Sequence, residues 1–179
     1  YLVIIMSALF LEYLLDSIGT FLNLKALDPN LPPEFNGHCD AQTYKKSQDY
    51  TRMNSRFGLI TSTISFVVII VFILVGGFNY IDQFVRTLGQ GSIVSGLLFF
   101  GILFILSDVM STPASLYKTF VIEEHFGFNK MTWKTYVSDK IKSYVLLALL
   151  GSAILSIILY LFEKAGAHAW LYAWAAMAL

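Results

Sequence analysis

Four stretches of the chain, at about residues 1–24, 57–75, 93–110 and 144–162, are almost wholly apolar, and a fifth begins near residue 168. A hydrocarbon core of about 30 Å is crossed by about 20 apolar residues in a helix. Lipid offers the backbone no hydrogen bonds, so such runs become helices rather than loops or open strands. Composition agrees, since 56% of the 179 residues are hydrophobic and 16% aromatic, above the ~45–50% apolar share of soluble domains. The expected fold is an all-α polytopic membrane protein. It has four complete transmembrane helices, an incomplete fifth at 168–179, and surface helices in its connecting segments.

The charges gather in two blocks, Lys25 to Arg56 and Lys118 to Lys142, inside connections at 25–56 and 113–143. The other connections contribute as cations only Arg86 and Lys164. Successive spans alternate sides, so both basic connections share one face, which the positive-inside tendency assigns to the cytoplasm. Nucleic acid is not an expected partner; the cations suit lipid phosphates. Tyr1 and Leu179 both lie inside apolar runs, so the chain reads as part of a longer protein. A signal peptide is not expected at the front, which lacks a basic start and carries acids mid-run. Cys39 has no partner for an internal disulfide and reads as a plain thiol or a palmitoylation site.

Glu12 and Asp16 stand four residues apart in the first run and share one helical face. An acid facing lipid at mid-bilayer costs about 2.5–3.5 kcal/mol. That face therefore points to a polar cavity or lies among headgroups. Asp108, near the end of the third run, is a third acid at or near membrane depth. Asp28-Pro-Asn-Leu-Pro-Pro33 excludes a continuous helix, and Asp40 reads as the N-cap of a surface helix with Tyr44, Met53 and Phe57 on one side. The second run ends at Gly76-Gly77. Gly96 and Gly101 permit close helix approach, as do Ala148, Ser152 and Ser156 at four-residue spacing.

In the second basic block, Thr112-Pro113 suits a cap followed by proline at the first helical position, and Gly127 suits a stop. A further helix is expected from Thr132, with Trp133, Val137, Ile141 and Tyr144 on one stripe and Lys134, Lys140 and Lys142 elsewhere, lying at the membrane surface. Catalytic constellations are incomplete. His38, His125 and His168 are far apart, and Glu123-Glu124-His125 matches only half of an H-x-x-E-H motif because Val121 stands at the required first histidine. Gly89-Gln-Gly91 lacks the lysine of a phosphate loop. From the residues alone, half of a transporter or ion channel using Glu12, Asp16 and Asp108, or a scaffold without chemistry, stays open.

The run Ser115-Leu-Tyr-Lys-Thr-Phe-Val-Ile-Glu-Glu-His-Phe-Gly-Phe-Asn-Lys130 resembles the connection between the third and fourth spans of type I CAAX prenyl proteases, integral-membrane zinc metalloendopeptidases. The resemblance extends to Asp139-Lys-Ile-Lys142, Leu31-Pro-Pro-Glu34, Thr43-Tyr-Lys-Lys-Ser-Gln-Asp-Tyr50, Glu12 and Tyr172-Ala-Trp174. It implies the front part of a seven-span chambered α-barrel whose Zn2+ is held by H-E-x-x-H and a downstream glutamate beyond Leu179. No catalytic or metal-binding residue is then expected in this segment. The implied activity of the whole protein is proteolytic processing of prenylated C-a-a-X termini. Glu123, Glu124 and Asn129 become candidates for docking the C-terminal catalytic region or lining substrate access, and Glu12, Asp16 and Asp108 for lining the chamber. The implied location is the endoplasmic reticulum or inner nuclear membrane in a eukaryote and the plasma membrane in a prokaryote.

Overall fold

The computed structural model describes residues 1–33, 37–38 and 40–166, together with Trp170 and Trp174. Its elements are α1 (Leu2–Ala26), α2 (Ala41–Leu74), α3 (Gly77–Thr87), α4 (Ser92–Tyr117), α5 (Trp133–Leu146) and α6 (Ser152–Ala165). π-Helical segments at Lys118–Glu123 and Leu147–Gly151 prolong α4 and join α5 to α6. Among the described residues there is no strand. Among the described residues four helices are long and apolar enough to cross a membrane: Leu2–Ala26, Ala41–Leu74, Ser92–Glu123 and Trp133–Lys164. Of the expected fifth span at 168–179, only Trp170 and Trp174 fall among the described residues.

Three of these helices outrun their apolar stretches. The surface helix expected after Asp40 fuses with the second span into the 34 residues of α2. The helix expected at the surface from Thr132 runs into the fourth span without a break. Backbone hydrogen bonds are satisfied within a helix on both sides of the water boundary, so reaching that boundary gives no reason to stop. Thr112 does not cap a new helix, contrary to the sequence expectation, because α4 runs through Pro113 to Tyr117. A proline there removes one N–H and crowds the carbonyl four residues earlier, yet the rest of the ladder carries the helix past it.

Two ends follow the expected cap chemistry. The Asp40 side chain accepts from Thr43 N–H at 2.9 Å, and the Thr43 hydroxyl donates to the same oxygen. The Thr43 N–H and then its hydroxyl hold the Asp40 carboxyl below the usual carboxylate range. Thr132 Oγ1 accepts from Thr135 N–H at 3.2 Å to start α5.

The chain divides into two compact units. In the first, residues 1–77 with 111–130, α1 packs along α2. Tyr13 stacks on Phe66 with ring centroids 4.5 Å apart, and its hydroxyl lies 2.8 Å from Thr63 Oγ1. Ile122 and Phe126 are buried here. The second unit, residues 78–110 with 131–179, holds α3, most of α4 and the long α5–α6 helix. Ser92 Oγ donates to Glu163 Oε2 at 2.8 Å near one end of α4, and Tyr144 meets Asp108 towards the other, so the two long helices run antiparallel. A Cβ at Gly96 would come within 2.6 Å of Leu159 Cδ1, which measures how close they approach. α3 was not expected. It buries Ile81 and Val85, one turn apart, and sets Asp82 and Arg86 in an exposed ion pair at 2.7 Å.

Candidate functional site

Glu123, Glu124 and Asn129 are brought together by a helix end of specific geometry. Gly127 adopts φ 70°, which turns the chain back so that Phe128 N–H donates to the Glu123 carbonyl at 2.8 Å and Gly127 N–H to the Glu124 carbonyl at 2.9 Å. This pair of bonds is a Schellman cap, and its left-handed residue favours glycine. Asn129 N–H also donates to the Glu123 carbonyl, at 3.2 Å, and Asn129 Nδ2 donates to Glu124 Oε2 at 2.9 Å. The sequence expectation of a stop at Gly127 corresponds to this turn.

α2 holds the loop from the side. Tyr50 meets Phe126 and Phe128 edge-on at 5.4 and 4.9 Å, Lys46 Nζ lies 5.4 Å from the Phe128 centroid, and Phe57 stacks on Tyr117 at 5.1 Å. The two phenylalanines flanking Gly127 thus anchor the loop, leaving Glu124 and His125 exposed and Glu123 half-buried. Among the described residues the Glu123 carboxylate makes no ion pair or side-chain hydrogen bond. Tyr50 and Lys46 were not singled out from sequence as partners of the loop, although both lie in the stretch that carried the family resemblance.

The remaining candidates are dispersed. Glu12 and Asp16 are exposed and share a face of α1 about a quarter turn from the side packed on α2, at 100° per residue. Asp108 is paired: Lys140 Nζ lies 3.0 Å and the Tyr144 hydroxyl 2.5 Å from its Oδ2. These partners were also missed, though an acid at membrane depth calls for a cation on a neighbouring helix. Among the described residues no three His, Cys, Asp or Glu side chains converge as a metal ion would require. The described residues do not fit a zinc site.

Long apolar helices with polar ends, and acids held between or beside them, define a polytopic helical membrane protein. Residues 20–179 match the family model described as the CAAX prenyl protease N-terminal region, five membrane helices. The chain belongs to this family. It is 30% identical over 164 residues to CAAX prenyl protease 1 of Saccharomyces cerevisiae, covering 86% of this chain and 36% of that relative. It is 31% identical over 152 residues to the human CAAX prenyl protease 1 homolog, covering 81% of this chain and 32% of that one. Its backbone is similar to the crystal structure of S. mikatae Ste24p, with a TM-score of 0.87 at 30% identity, over 96% of this chain and 42% of that one. The chain therefore spans about a third of the length of the curated relatives it matches. None of these findings favours the transporter, ion-channel or scaffold readings.

Proposed function

We propose that this chain is the membrane-embedded front part of a zinc metalloendopeptidase that processes the C-terminal C-a-a-X motif of prenylated proteins. The observation that carries this reading is the match of residues 20–179 to the protease family, in step with a backbone similarity of 0.87 to a relative of more than twice the length. The segment builds wall rather than reaction centre.

In this reading Glu12 and Asp16 face a hydrated chamber of the seven-span barrel, where water removes the cost of a charge in lipid. Asp108, the third acid proposed to line the chamber, is neutralised by Lys140. The polar extensions of α2, α4 and α5 fall on one side by connectivity alone, the cytoplasmic side by the bias of Lys and Arg. The Glu123 carboxylate, without a partner among the described residues, suits docking of the C-terminal catalytic region, with Glu124 and Asn129 fixing the loop. The partners are that region, the prenylated substrate and the lipid bilayer. The location is the endoplasmic reticulum or inner nuclear membrane, or the plasma membrane in a prokaryote.

The test is made on the longer protein that carries this chain, purified in lipid nanodiscs. It is expected to hold about one zinc per chain, to remove the last three residues from a farnesylated C-a-a-X peptide, and to lose that activity on chelation. Cleavage that persists after the metal is stripped would overturn the reading.

A further inference from the structure

In the unit formed by residues 78–110 and 131–179, α4 and α5 are joined by polar side chains that the proposed function does not use. Tyr136, Lys140 and Tyr144 recur at one-turn spacing and form a stripe on α5. The Tyr144 hydroxyl donates to Asp108 Oδ2 at 2.5 Å, and Lys140 Nζ lies 3.0 Å from the same oxygen. Lys140 Nζ sits 5.7 Å from the Tyr136 ring centroid, and Phe104, one turn before Asp108, meets Tyr144 edge-on at 6.1 Å. The Asp108 and Lys140 side chains keep only 22% and 23% of their exposure.

Depth gives this cluster its significance. Asp108 lies about 24 Å along α4 from Ser92 at 1.5 Å per residue, near the far edge of a core of about 30 Å entered at Ser92. There an unpaired carboxylate or ammonium is costly, whereas the pair is neutral and the phenol adds a hydrogen bond to the carboxylate.

We propose that Asp108, Lys140 and Tyr144 are positioning residues of the protease: a neutral clamp at the hydrocarbon edge that fixes the register of α4 against α5, on which proteolysis depends. The inference rests on the proposed function.

The test uses the longer protein in nanodiscs with D108N, K140M, D108N/K140M and Y144F. The readouts are melting temperature and kcat/KM per folded protein, taken well below the lowest melting point. Each single charge variant leaves the other charge uncompensated and is expected to lower kcat/KM about tenfold, while D108N/K140M stays within about threefold of the parent. Y144F, which keeps the ion pair, is expected to lose about twofold to threefold. A double variant as impaired as the product of the singles would overturn the clamp. Parent-like kcat/KM in every variant, even with lowered melting temperatures, would overturn the positioning role. Failure of the proposed function itself is read separately, in the parent protein, as activity insensitive to chelation.

Discussion

At the scale of single residues, Gly127 is the position where the backbone leaves least choice. Its φ of 70° carries the cap that gathers Glu123, Glu124 and Asn129, and a Cβ there would find Lys46 Nζ at 3.9 Å, an ordinary contact. The cost of a side chain is therefore conformational rather than steric. Gly127→Ala is expected to destabilise the loop by about 1 kcal/mol, and Gly127→Asn by less, because asparagine visits the left-handed region more readily. Limited proteolysis at Phe126–Lys130 reads the difference, and equal protection of the alanine and asparagine variants would argue against the cap. The caps at Asp40, Thr132 and Gly127 were legible because each depends on one residue and its near neighbours. The ion pair of Asp108 with Lys140 was not. It joins residues on different helices, and periodicity along one helix carries no information about the register of the next.

At the scale of elements, apolar runs located the helices but not their ends. Hydropathy changes at Phe57 and near Tyr144, while the hydrogen-bonded ladder continues through both. Pro113 misled for a related reason: a residue well suited to start a helix is tolerated inside one whose other bonds are in place. α3 was legible in principle, since Phe78, Ile81, Val85 and Leu88 follow helical spacing, but a connection this short between two spans has the length of a plain loop. The close approach of α4 and α6 makes its own prediction. Gly96→Ala is expected to be tolerated, because the tip of Leu159 can turn aside. Gly96→Leu must push the helices apart and is expected to cost about 1–3 kcal/mol. Thermal melting in nanodiscs separates the two, and an unshifted leucine variant would mean that the helices do not meet there.

At the scale of the whole molecule, fold class and family were both readable from the sequence, the first from bilayer arithmetic and the second from a few loop motifs. The candidate site was readable only in part, as acids without their partners. Helix length then matters beyond bookkeeping. At 1.5 Å per residue, the 34 residues of α2 and the 32 of each of the next two spans reach about 48–51 Å, well past a core of about 30 Å. Melting temperature and peptidase activity of the longer protein are expected to change little across bilayers differing by about 6 Å in hydrocarbon thickness. A sharp optimum at one thickness would contradict this. Since each of those three shafts crosses one waterline in mid-helix, its polar end has no tight turn pinned to headgroup depth. The lipid level can rise or fall along them as on pilings in a tide, wetting one turn more or less while the ladder inside stays closed.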